Sequence, residues 1–304
     1  QWFSNISMHS HLQSHYTDSA KINHAVHFNY YSLTDKFKST ENMISADAFL
    51  TRYYDKQLLG LKTAVRYFNN KIPVNNFGSE INLDTLNQVL VNAEPSFGYK
   101  SEKWGTNLSV DLTIGSALKT KFFIYPKIDF NFNVIDNILI PYAGVTGGLK
   151  KNSYKSLTDE NPFIVPNAER KNTDKKYEAY FGLHGSITKD IAFNVRGSYA
   201  KINNMNFFVN DYSDSLQNRF KIVYDTVQLI NVHGEIQYQR NEKLMLMMKG
   251  DWFRYDLKNF IQPYHKPEIQ ITFSGSYNLK DKIIVKSKLT EKTKLKKESR
   301  RIKK

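Results

Sequence analysis

The chain has 304 residues, 40% hydrophobic and 24% charged, with 20 Phe, 19 Tyr and no cysteine. That is enough apolar material for a folded domain, while the missing thiols exclude disulfide scaffolds, thiol nucleophiles and thiolate metal sites. Net charge is +14, of which residues 280–304 carry +9, so the rest of the chain holds only +5 and gives no reason to expect a nucleic-acid partner. No apolar stretch approaches the roughly 18 residues a membrane helix needs. The chain opens at Gln1 with no basic and apolar leader before it, which predicts a processed or trimmed chain.

Taken in chain order, the segments alternate with period 2. Val26-Phe28-Tyr30, Ile44-Ala46-Ala48-Leu50 and Leu59-Leu61-Thr63-Val65-Tyr67 come first, followed by Val89-Val91-Ala93-Pro95-Phe97-Tyr99. The clearest instance sets Leu108, Val110, Leu112 and Ile114 against Asn107, Ser109, Asp111 and Thr113. Ile128-Phe130-Phe132-Val134, Tyr177-Ala179-Phe181-Leu183, Ile191-Phe193-Val195-Gly197-Tyr199, Ile230-Val232-Gly234-Ile236-Tyr238, Leu244-Leu246-Met248-Gly250-Trp252 and Ile269-Ile271-Phe273-Gly275-Tyr277 continue it. Helical spacing cannot produce this pattern; a two-faced strand does.

About fourteen strands are expected, each about 10 to 15 residues long, against roughly 5 to 6 in soluble sheets. Short turns at Asp55-Lys56, Ser101-Glu102-Lys103, Asp136-Asn137, Lys189-Asp190, Asn241-Glu242-Lys243 and Lys280-Asp281 alternate with long connections over 72–84, 152–174, 203–226 and 258–266. Long strands with one trimmed and one elaborated end predict an all-β, antiparallel up-and-down transmembrane barrel, or most of one, over 1–289. A basic tail, 290–304, follows. Aromatic residues near segment ends, among them Tyr67-Phe68, Tyr99, Trp104, Tyr125, Tyr177, Tyr199 and Tyr277, fit interfacial girdles.

In hydrocarbon each backbone amide must be paired internally, so one face of such a sheet meets lipid and the other lines a lumen. The phase assigns Asp47, Lys62, Arg66, Glu94, Asp111, Lys127, Asp129, Glu178, Arg196, Glu235, Lys249, Asp251 and Glu268 to the lumen. Their mixed signs predict cross-strand pairing. Met205, Phe207 and Phe208 on a predicted loop 203–211, with Phe163 on another, are candidate contacts for a solute or partner protein, or are packed on the barrel itself.

Asn161 to Asp211 resembles the barrels of TonB-dependent receptors of Gram-negative bacteria, through Asn161-Pro162, Ala168-Glu169-Arg170, the strand Tyr180–Ile187 and the turn Thr188-Lys189-Asp190. The resemblance extends in strand and loop order over most of 1–289. It implies an outer-membrane location and solute passage or uptake, the alternative being a structural or assembly-associated barrel that binds partner proteins through its loops. The family's plug domain, energy-coupling box and terminal aromatic strand are not recognised in the sequence.

Enzymatic motifs are missing: no P-loop, dinucleotide-binding glycines, H-E-x-x-H or G-x-S-x-G occurs. His9, His11, His15, His24 and His27 could form a surface metal site, but no acidic partner accompanies them in the pattern, and polar-face imidazoles are the expectation. Ser198 and His184 could neighbour one another as chance does for many such pairs. No cofactor, metal site or catalytic residue is assigned.

Overall fold

A computed structural model describes residues 2–14, 21–73, 83–116, 120–136, 138–212, 218–241, 243–279 and 283–293. Fourteen strands form one antiparallel sheet in strict sequence order: β1 (Phe3–Gln13), β2 (Asn23–Asp35), β3 (Thr40–Tyr54), β4 (Gln57–Pro73), β5 (Leu83–Lys100), β6 (Trp104–Ser116) and β7 (Thr120–Phe132) in its first half. The second half is β8 (Ile140–Lys150), β9 (Thr173–Thr188), β10 (Ile191–Asn210), β11 (Phe220–Arg240), β12 (Leu244–Leu257), β13 (Ile269–Leu279) and β14 (Ile283–Thr293). Strands run from 11 to 21 residues, so the expected excess of length is real.

Alternation sorts the side chains as the pattern requires. Ile44, Leu61, Val65, Val91, Leu108, Leu112, Ile128, Val195, Val232 and Ile271 stand exposed on one face. Their sequence neighbours Ser45, Ala64, Asp111 and Thr272 are buried on the other. Aromatic pairs decorate the apolar face towards both ends: Tyr99 and Trp104 lie 4.8 Å apart between centroids, Trp104 and Phe130 6.2 Å, and Tyr177 and Tyr199 6.2 Å. Phe68 and Tyr125, expected in those girdles, are instead buried on the polar face, because their strand phase matches Arg66 and Lys127.

Three further details refine this arrangement. The sheet is open: among the described residues β1 and β14 each pair with a single neighbour and not with each other. β10 and β11 run as a continuous ladder to Asn210↔Phe220, so most of the supposed loop 203–226 is strand, interrupted by a bulge between Ile202 and Met205 where Asn204 takes a positive φ of 53°. β14 continues to Thr293, past the expected boundary at 289. Residues 294–304 of the basic tail lie outside the described residues, as do 74–82 and the turn 280–282.

The connection 151–172 is the elaborated one. It carries α1 (Tyr154–Glu160), started by Ser153, whose hydroxyl accepts from the Ser156 amide at 3.1 Å. Tyr154, Leu157, Ile164, Val165 and Ala168 from this insert pack with Tyr31, Leu33, Phe208 and Ile222 into a hydrophobic cluster. The insert thus folds back onto polar-face residues of β2 at the elaborated end of the sheet.

Candidate functional site

The polar face is laced by ion pairs within and between strands. Arg66 donates to Asp47 at 2.7 Å. Lys127 bridges Glu94 at 2.8 Å and Asp111 at 3.2 Å, and the same Asp111 accepts from Thr113 at 2.7 Å. Glu178 takes Arg196 and Lys175, each at 2.6 Å. Lys249 pairs with Glu235 at 2.9 Å, and His233 Nδ1 lies 2.9 Å from Asp251.

The strand register explains several of these contacts: Glu235↔Lys249 and His233↔Asp251 are directly opposite, and Arg66 lies diagonal to Asp47, two residues past its partner Ala64. Lys62 stands opposite Glu94. It instead places its ammonium over the Phe49 ring at 5.4 Å. Glu268 extends the β13 ladder through its backbone, its amide donating to Thr293 and its carbonyl accepting from Phe253.

Asp129 is placed differently. It is exposed, and lines a cavity on the short-turn half of the polar face together with Asn131, Tyr142, Tyr180, His184 and Asn194. A wider adjoining cavity of about 970 Å³ continues past Ser96, Gly98, Gly105 and Asn107. Two glycines shape the wall: a β-carbon on Gly182 would collide with the Tyr142 ring, and one on Gly144 with the Tyr180 hydroxyl. Each tyrosine therefore lies flat over the bare backbone of the next strand. Tyr142 finishes the arrangement by donating to Asn194 at 2.7 Å, and the Arg196 guanidinium sits 4.1 Å from the Tyr180 centroid.

At the other end the insert closes over buried charges that sequence reasoning did not single out. Glu41, fully buried, accepts from Tyr31 Oη at 2.8 Å and from the amides of Tyr154 and Lys155 at 2.7 and 3.0 Å. Asp35 accepts from Tyr154 Oη at 2.7 Å and from the amides of Phe37 and Ser39, both at 2.8 Å.

The Arg170 guanidinium rests 4.4 Å from the Tyr154 ring centroid and donates to Asn70 at 2.9 Å. Burial holds Arg170 below its usual range, with Glu41 opposing. Burial also pushes Lys151 down to about 8; Glu41 opposes that shift and Arg170 reinforces it. Glu160 is held low despite burial, because Lys266 pairs with it at 2.5 Å. Glu41 shares the strand phase of Asp47, the one signal that could have marked it.

Phe207 and Phe208, read as loop contacts, are both buried in β10. Being sequence neighbours in a strand they point opposite ways: Phe208 joins the insert cluster, and Phe207 meets Phe260 of the connection 258–268 edge-on at 6.5 Å. Asp225 anchors that connection, accepting from the amides of Asn259 and Phe260 at 2.9 and 3.0 Å. The self-packed alternative describes these two aromatics; Phe163 is half exposed.

Histidines do not assemble a metal site among the described residues, which exclude His15. His11 and His27 stack at 4.2 Å and His9 Nδ1 contacts Asn29 at 2.8 Å. Ser198 and His184 share the polar face but sit in different strands, with Ser198 opposite Tyr180 and His184 opposite Asn194. No helix of the described residues is long and apolar enough to cross a membrane.

No family model and no curated protein sequence matches this chain. Solved structures do. The copper transporter OprC aligns with a TM-score of 0.60 at 11% identity, over 91% of this chain and 51% of its own. The pyoverdine outer membrane receptor FpvA from Pseudomonas aeruginosa PAO1 gives 0.59 and 10%, over 95% and 50%. The FrpB iron transporter from Neisseria meningitidis gives 0.60 and 10%, over 92% and 49%. These neighbours are TonB-dependent outer-membrane receptors, and the likeness is one of fold. The chain spans about half the length of the structures it matches.

Proposed function

We propose, from the fold shared with TonB-dependent outer-membrane receptor barrels, that this chain forms part of the wall of an outer-membrane barrel through which a solute is taken up. The observation that carries the reading is the division of one sheet into two solvents' worth of surface. One face presents a continuous band of Ile, Val, Leu and Phe; the other presents paired ions. A soluble sandwich would bury the apolar face under a second sheet, whereas among the described residues the sheet is single and its apolar face stands uncovered. Hydrocarbon is the environment that accepts such a face.

Two consequences follow for the barrel as a whole. The exposed edges of β1 and β14 cannot remain unpaired in lipid, so each must find a strand partner in the closed wall. The lumen residues assigned from phase then divide into a neutralised ladder, formed by the pairs of Asp47, Glu94, Asp111, Glu178 and Glu235, and a solute-accessible stretch around Asp129. Metals and siderophores bound by the neighbours make a chelated metal the first solute class to test.

The test is membrane fractionation of the protein as the cell makes it, followed by uptake of labelled ferric or cupric chelates in cells with and without it. Recovery in the outer membrane with chelate uptake lost on deletion is expected; recovery in a soluble fraction overturns the proposal. Exposure of Ile261, Tyr212 and Phe163 on the elaborated connections favours the second reading, a barrel that binds a partner protein through its loops. Unchanged uptake together with loss of a co-purifying protein on Ile261→Asp substitution would support that second reading.

A further inference from the structure

Adjacent strands in this sheet are zipped along most of their length, with one exception. β6 and β7 pair at each position from Trp104↔Phe132 to Ser116↔Thr120. β7 and β8 pair only from Ile128↔Val145 to Asn131↔Tyr142. Over Thr120–Lys127 of β7 and Thr146–Lys150 of β8, no ladder joins the two strands, although β8 remains paired with β9 there.

The local sequence is consistent with a seam rather than an interrupted ladder. Pro126 lies in the unpaired part of β7, where a residue without an amide hydrogen removes a donor from any strand that might add. Gly147 and Gly148 lie where β8 leaves β7, beside a register shift against β9 between Thr146 and Gly148. Phe122 and Ile124 beside the gap are 73% and 68% exposed, well above the 38% to 42% of Val110 and Leu112 on the fully zipped β6.

A side-chain contact spans the gap. Tyr125, 1% exposed on the polar face, reaches over β8 and donates its hydroxyl to Asp174 Oδ1 of β9 at 2.8 Å. It can do so because Gly147 is bare: a β-carbon there would lie 3.0 Å from Tyr125 Cδ1 and 3.0 Å from the carbonyls of Lys175 and Lys176.

We infer that the β7–β8 boundary is a latched seam: a lateral opening between the polar and apolar faces, held at its wide end by the Tyr125–Asp174 hydrogen bond and at its narrow end by the Ile128–Asn131 rungs. Separation of the sheet begins here, because fewer backbone hydrogen bonds must break than at any zipped pair. Tyr125 acts as a positioning residue for β8, and the seam gives the wall a defined place to part without unfolding the strands on either side.

Disulfide trapping in the folded full chain in detergent tests the gap. Continuing the Ile128↔Val145 register would set Ile124 opposite Leu149. Cysteines at Ile128 and Val145 should cross-link readily, and cysteines at Ile124 and Leu149 at least about tenfold more slowly, since a disulfide needs Cα atoms within about 7 Å. Equal rates overturn the seam. Amide exchange tests the latch: Tyr125→Phe should speed exchange over Tyr142–Val145 by about tenfold while leaving Leu108–Ile114 unchanged. Asp174→Asn in the otherwise unchanged chain keeps an oxygen to accept from the Tyr125 hydroxyl and should leave exchange slow; unchanged exchange in Tyr125→Phe removes Tyr125 from the role.

Discussion

Tyr154 donates its hydroxyl to Asp35 at 2.7 Å, joining the only helix among the described residues to the end of β2 across more than a hundred residues of chain. The bond is buried, and the same tyrosine's backbone amide is held by Glu41 at 2.7 Å. Tyr154→Phe removes one donor from a buried carboxylate and should cost about 1 to 3 kcal/mol. The loss should appear locally, as faster proteolysis within 151–172 with the strands left intact.

Leu112 stands on the apolar face and Asp111 on the polar one, one residue apart. Leu112→Arg should destabilise the folded protein in lipid by about 2 to 4 kcal/mol if it sits near the midplane. Urea titration of the protein folded into vesicles measures this. The same substitution in a soluble sheet with an exposed face would be nearly neutral, so a neutral result would count against membrane insertion.

Lys127 neutralises two carboxylates at once, Glu94 and Asp111. Lys127→Met leaves them facing one another without a cation, and breaking a partly buried pair of this kind should cost about 3 kcal/mol. Adding Glu94→Gln should recover part of it, a coupling that a double-mutant cycle on the thermal midpoint would read.

Lys151 is held down at about 8 by burial, against an ordinary lysine value of 10.5. Its charged form is therefore penalised in the folded state. Below about 8 both folded and unfolded chains carry the proton and the penalty stands in full. Between about 8 and 10.5 the folded chain sheds the proton first, so the packing of the insert should tighten as pH rises through that window. Limited proteolysis of 151–172 across pH 7 to 10 checks the direction, and Lys151→Met should flatten the response.

Gly182 lies directly under the Tyr142 ring. Gly182→Ala should displace that ring, break its hydrogen bond to Asn194 and destabilise the wall, by about 1 to 3 kcal/mol for an overpacked site. Tyr142→Leu alone should be milder than Gly182→Ala alone, and the pair together should be less than additive. Tryptophan fluorescence during chemical unfolding gives the three midpoints.

Strand identity and facing were already written in the sequence, because a period of two is a local property. Leu108 to Ile114 against Asn107 to Thr113 needs no partner strand to declare its faces, and the placement of Arg66, Glu178 and Lys249 on the polar side followed from the same rule. What each charge does there depended on register, which is set between strands. Asp47 meeting Arg66 and Asp129 opening onto a cavity are indistinguishable by phase. The strand character of 203–210 is hidden from the sequence because the bulge at Asn204 resets the alternation, which takes Phe207 and Phe208 out of phase with the residues before them.

Only the tertiary structure could decide that Glu41, Asp35, Tyr154 and Arg170 form one buried cluster, since they lie up to 135 positions apart and are gathered by an insert that obeys no period. The same is true of the open β1 and β14 edges and of the seam beside Tyr125. Side-chain alternation is dictated residue by residue through backbone geometry. Closure, pairing and packing are dictated by which distant segments find each other.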